Sequence, residues 1–149
     1  MRKIIGILAV LLICTAFVGA GAAFTYKSDA VVTPAGSLTP GQTVTATMKI
    51  VVTGNSLDAS DKIILSTPLS SPKWNTVIYQ GTQAISEKTS STLYGFDIGY
   101  DTDITLQITL TGVVPSSQKG KQISVMSISA TSKELNGYTS YSSKKQMVY

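Results

Sequence analysis

Apolar and polar positions alternate without a break from Asp103 to Gly112. Ile104, Leu106, Ile108 and Leu110 share one side; Thr105, Gln107, Thr109 and Thr111 share the other. A period of two sends successive side chains to opposite faces of a strand. This stretch therefore predicts a strand with one face in a core and one in water, closed by the glycine. Thr43–Val52 repeats the pattern, with Val44, Ala46, Met48, Ile50 and Val52 set against Thr43, Thr45, Thr47 and Lys49. Shorter candidates are Ala30–Thr33, Lys62–Ser66, a strand opened by Trp74 and running through Val77, Ile78 and Tyr79, then Gln83–Glu87, and residues 93–98. Gln122–Ser132 slips phase midway. Ile123 and Val125 have one parity, Met126, Ile128 and Ala130 the other, and a bulge accounts for the slip. Phe24–Ala30 reads as a polar connector. Tyr138–Tyr149 reads as a tail that closes the sheet as an edge strand, with Lys144 and Lys145 protecting that edge from uncontrolled pairing.

The punctuation agrees with this reading. Pro34-Ala35-Gly36, Thr39-Pro40-Gly41 and Gln80-Gly81-Thr82 mark turns. Pro68 and Pro72 bracket a loop, because proline donates nothing to a central ladder. Ser116–Lys121 is a solvated loop. No helical period of useful length follows the first two dozen residues. About eight or nine short strands, with turn signals roughly every ten residues, predict an all-β fold: a single immunoglobulin-like antiparallel β-sandwich over residues 24–149.

The start of the chain has a different character. Arg2-Lys3 precedes an almost wholly apolar run from Ile4 to Val18, and Gly19-Ala20-Gly21-Ala22-Ala23 follows. Basic start, apolar middle and small-residue exit make residues 1–23 a secretory signal peptide, with cleavage expected between Ala20 and Ala23. The run is also about long enough to span a bilayer, so a retained anchor is the rival reading. Bulky Ile13 before Cys14 argues against lipid attachment there.

Composition removes more chemistry than it offers. Cys14 is the only cysteine and there is no histidine. Beyond the leader there is thus no disulfide, no thiolate site and no imidazole base or metal ligand. Without Arg2 and Lys3 the formal charge of +4 falls to about +2, too mild and dispersed for a nucleic-acid surface. Asp97, Asp101 and Asp103 form the densest acidic cluster, but they lack the spacing of a calcium loop, and Asp58 and Asp61 are weaker still. Ser70–Lys73, Ser116–Lys119 and Ser142–Lys145 match a serine–lysine spacing in polar or proline-bearing stretches, not at a helix start. Asn55, Asn75 and Asn136 all miss the glycosylation sequon. No catalytic, cofactor or metal residue is assigned, and the chain is read as a non-enzyme. Trp74, the only tryptophan, is read as a core anchor between two sheets; the competing reading is an exposed ring that stacks on a sugar.

Three segments taken together carry a family resemblance. They are Val32-Thr33-Pro34-Ala35-Gly36-Ser37-Leu38-Thr39-Pro40-Gly41, Ser66-Thr67-Pro68-Leu69-Ser70-Ser71-Pro72-Lys73-Trp74 and Thr109-Leu110-Thr111-Gly112-Val113-Val114-Pro115. Their order resembles secreted β-sandwich cell-surface proteins of methanogenic archaea, over roughly Val32 to Ser129. The resemblance implies fold and compartment rather than an activity. A short member with no C-terminal anchor implies a subunit of an envelope sheath or surface layer. The expected function is therefore a structural protein of the archaeal cell envelope that self-assembles into a homo-oligomer or polymer through lateral β-strand contacts. It would need no cofactor and would bind no nucleic acid, and it would meet a membrane only through an uncleaved leader. Tyr138, Tyr141 and Tyr149 are the candidate assembly contacts, since tyrosine buries a large ring and keeps a polar tip. Removing the tail is expected to stop assembly and leave a folded β domain. The alternative is a secreted module that binds carbohydrate or another protein.

Overall fold

The computed structural model describes residues 23–26, 28–53, 62–94, 103–132 and 137–149. The strands are β1 (Ala23–Tyr26), β2 (Val31–Thr33), β3 (Thr43–Thr53), β4 (Lys62–Ser66), β5 (Ser70–Gln80), β6 (Gln83–Lys88), β7 (Thr92–Tyr94), β8 (Ile104–Val113), β9 (Gln122–Ser124), β10 (Ser127–Ser132), β11 (Gly137–Ser142) and β12 (Lys145–Met147). A single 3-10 turn at Ser116–Gln118 lies between β8 and β9. The first sheet has the order β1-β3-β8-β5-β6, with β2 also paired to β3. The second has the order β11-β10-β4-β7, and β12 pairs with β9 in a small third sheet. Every strand pair is antiparallel.

β8 is the central strand that its alternation predicts. It pairs with β3 from Val52↔Ile104 to Thr43↔Val113 and with β5 from Gln80↔Ile104 to Ser70↔Val113. Its burial alternates at every position. The inward rows of β3, β5 and β8 meet Ile63 and Leu65 of β4, Leu93 of β7 and Ile128 of β10 in one apolar cluster. The chain is thus an all-β sandwich. Burial of each large aliphatic side chain in such a core contributes roughly 1.5–3 kcal/mol. The outward rows are threonine-rich, and Thr45–Thr111 and Thr47–Thr109 bring their hydroxyls to 3.4 Å across the β3–β8 ladder.

Four expectations change. Gly112 does not close β8; it lies inside the strand, opposite Val44. A Cβ there would lie 2.8 Å from Leu69 Cβ, so the glycine is required by the close approach of the chain entering β5. Gln122–Ser132 is not one bulged strand. β9 pairs with β12 and β10 pairs with β4 and β11, so the phase slip at Val125-Met126 is a change of sheet, with both residues buried. Phe24–Ala30 is not wholly a connector, because β1 pairs with Ile50–Thr53 of β3. Pro72 belongs to β5 rather than to a loop. It is tolerated because Ser71 and Pro72 sit at a register shift against β8 and because β6 pairs only with Thr76–Gln80.

Candidate assembly edge

The fold leaves two unlike flanks. On one, β6 ends its pairing at Thr76, and β5 is open along Ser70–Asn75 among the described residues. That stretch carries a bulge, a left-handed Ser71 (φ 49°), Pro72 and an exposed Lys73. All of these hinder a further strand from pairing. β6 itself has a register shift between Ile78 and Tyr79 of its partner and ends in Glu87 and Lys88. The other flank has β11 at the border of the second sheet. β11 is paired with β10 at all six of its positions, from Ser127↔Ser142 to Ser132↔Gly137, with no register shift. It holds no charged residue and no proline.

The three candidate tyrosines fall in different settings. Tyr141 is half-buried against the core, and its hydroxyl accepts a hydrogen bond from Ala30 N at 3.0 Å. It fastens β11 to the border of the first sheet. Tyr138 stands opposite Thr131 in the β10–β11 ladder, and its side chain lies outside the described residues. Tyr149 is 65% exposed, with its backbone N–H donated to Leu38 O at 2.9 Å. Of the two whose side chains are described, Tyr141 is tied to the core and Tyr149 is exposed.

The tail is also part of the domain. Val148 is fully buried, Leu38 N donates to Met147 O at 2.8 Å, and Val148 N donates to Lys121 O at 2.9 Å. Gln146 Nε2 donates to Gly36 O at 2.7 Å and to Pro34 O at 3.3 Å. The buried Ser143 hydroxyl accepts from Met126 N at 3.2 Å. Removing the tail would therefore strip a core side chain and a sheet, contrary to the expectation of a folded remainder. Lys144 and Lys145 lie past the end of β11, so they do not guard its edge.

A groove runs along the open stretch of β5. It is lined by Leu65, Pro72, Lys73, Trp74, Asn75 and hydroxyl side chains that include Thr67 and Ser90. Trp74 is 7% exposed and belongs to the core cluster, as an anchor should. Its ring face is therefore not offered for stacking. Several of the polar groups are already engaged. Thr67 Oγ1 donates to Val125 O at 2.6 Å, Ser90 Oγ accepts from Thr92 N at 3.1 Å, and Asn75 Nδ2 donates to Glu87 Oε1 at 2.8 Å.

The serine–lysine spacings bring no activated hydroxyl into view. Ser70 Oγ donates to Val113 O at 3.0 Å, and Ser142 Oγ lies 3.0 Å from Ser127 Oγ. Ser116 meets Lys119 through the backbone, Lys119 N donating to Ser116 O at 3.1 Å. Asp58, Asp61, Asp97 and Asp101 lie outside the described residues, as does Cys14; Asp103 is exposed. Among the described residues no group of acidic, histidine or cysteine side chains is placed to hold a metal. No described helix is long and apolar enough to cross a membrane.

Two features escaped the sequence reading. The uncharged, proline-free run Tyr138–Ser142 belongs in the sequence to the tail as a whole, although its composition distinguishes it from Gln83–Lys88. Gln146 gave no signal, because its partners are backbone carbonyls more than a hundred positions away.

No protein-family model matches the chain, and no curated protein matches it. Among solved structures it is similar to a DUF4466 family protein from Parabacteroides merdae, at 12% identity and a TM-score of 0.44. That match covers 84% of this chain and 45% of the other, so the chain spans less than half of that protein's length.

Proposed function

We propose that the protein is a non-enzymatic structural component of a cell envelope, exported by its leader and assembled through lateral β contacts. The observation that carries this reading is the β11 edge: six residues in regular register, free of charge and proline, at the border of a sheet. Such an edge offers a row of main-chain donors and acceptors to a further strand. The archaeal setting rests on the resemblance of the three quoted segments alone. Electron microscopy and sedimentation of the purified protein test the reading. Sheets, hoops or fibres, or concentration-dependent oligomers, are expected. A strictly monomeric protein at high concentration contradicts it.

The groove beside β5 supports a second reading, a module that binds glycan or an extended peptide there. Its lining of hydroxyls, one amide and one lysine around an apolar floor is chemistry that suits either ligand. Glycan binding by a protein that stays monomeric would favour it over assembly.

A further inference from the structure

We propose that β11 pairs with β11 of a second copy, antiparallel, about a two-fold axis through Ser140. This deepens the lateral-association reading and rests on it.

The phase of the ladder fixes the geometry. Ser143 N donates to Met126 O at 2.8 Å, one step beyond the Ser127↔Ser142 pair. In an antiparallel ladder the main-chain groups of successive residues point alternately toward the partner strand and away from it. Residues with the parity of Ser143, namely Thr139 and Tyr141, therefore turn N–H and C=O toward β10. Tyr138, Ser140 and Ser142 turn theirs to the open side. The 3.0 Å approach of the Ser127 and Ser142 hydroxyls fits this phase, because side chains come closer in pairs that do not exchange backbone bonds. Among the described residues no strand lies beyond β11 to receive these outward groups.

The three outward positions are symmetric about Ser140. A two-fold axis there sets Tyr138 against Ser142 of the second copy, and Ser140 against itself. Each of these pairs then exchanges two N–H···O bonds, about six in all. The chemistry of the strand permits self-pairing. Gly137–Ser142 brings no charge to the axis, and Ser140 is exposed. An isologous contact of this kind closes on itself. It joins two four-stranded sheets into one and makes a dimer the unit of any larger layer. The opposite flank, with Pro72, Lys73 and a bulge, is shaped against the same kind of pairing.

The test is a symmetric disulfide. Facing residues that exchange both bonds have Cα atoms about 5.5 Å apart, within the reach of a disulfide. Ser140→Cys is made in the full chain in a Cys14→Ser background and oxidised mildly. A dimer on a non-reducing gel is expected, and none from the exposed control Ser116→Cys. Ser140→Pro is the second variant. It removes an outward donor and leaves the β10 ladder intact, so dimer dissociation should rise at least tenfold while the circular dichroism melt stays near the parent's. If particles form but Ser140→Cys gives no dimer, or if a folded Ser140→Pro associates as before, the β11 axis is wrong and lateral association through another edge stands. If Ser140→Pro fails to fold, the disulfide alone decides. A parent that is monomeric at every concentration overturns both the axis and the association reading.

Discussion

The open stretch of β5 and the outer side of β11 are both sheet borders, yet the chain treats them differently. The β5 border, Ser70–Asn75, carries a bulge, a left-handed serine, a proline and a lysine within four positions. The β11 border, Gly137–Ser142, carries none of these and keeps register over its whole length. Edge strands left unguarded invite another strand, and guards are usual where pairing would be harmful. The asymmetry teaches that openness alone does not mark an interface. The informative feature is an open edge without guards, set against the β5 border, which carries several.

The largest effect is expected when the tail is cut. Deleting residues 138–149 should abolish the cooperative thermal transition, because Val148, the β9–β12 pairing and the Ser143–Met126 bonds go with it. A remainder that melts cooperatively would show that β11 is an appendage and not a member of the sandwich.

A smaller break falls at the foot of the guarded edge. Gly112→Ala drives a methyl against Leu69 Cβ, 2.8 Å away, and should cost about 1–3 kcal/mol in a urea titration through local overpacking. An unchanged midpoint would mean that the Leu69–Ser70 entry to β5 yields easily, and the bulge would then be a weak guard. Thr76 marks the step where the β6 pairing ends, opposite Lys88. Thr76 is fully buried, and its hydroxyl has no hydrogen-bond partner among the described residues. Thr76→Val should raise stability by about 1 kcal/mol in the same titration, since a buried unmatched hydroxyl is replaced by an apolar group of the same shape. A loss of stability would show that the hydroxyl has a partner in solution.

Pro72→Val with Lys73→Val restores a donor and removes a charge on the β5 border. It should leave stability within about 1 kcal/mol and raise the mean particle mass in light scattering several-fold, by giving each molecule a second open edge. No change in mass would assign the guarding to the bulge and Ser71 alone.

The regular parts of the fold were legible because they are local. The alternation in Thr43–Val52 and Asp103–Thr111 states both strand and face, and the observed burial follows it position by position. Trp74 stands fifth in β5 on the buried row with Thr76 and Ile78, and it joins the core cluster. What was not legible depends on distant partners. Ile123-Val125 and Met126-Ile128 show a phase slip, but the sequence cannot distinguish a bulge from a change of sheet; only the pairing with β12 or β4 does. Gly112 read as a stop because the approach of Leu69 is a tertiary fact. Phe24 read as linker because β1 is short and its pairing with β3 is remote in sequence. The tyrosines pointed to the tail as a whole, whereas the borders separate β11 from β12.

Backbone amide exchange, followed residue by residue at low and high protein concentration, tests the β11 edge most directly. Thr139, whose N–H faces β10, should be protected at both. Ser140 should exchange fast in the dilute protein and slow by at least tenfold as association proceeds. Equal, fast exchange of Ser140 in the monomer and in the assembled protein would contradict pairing at this edge.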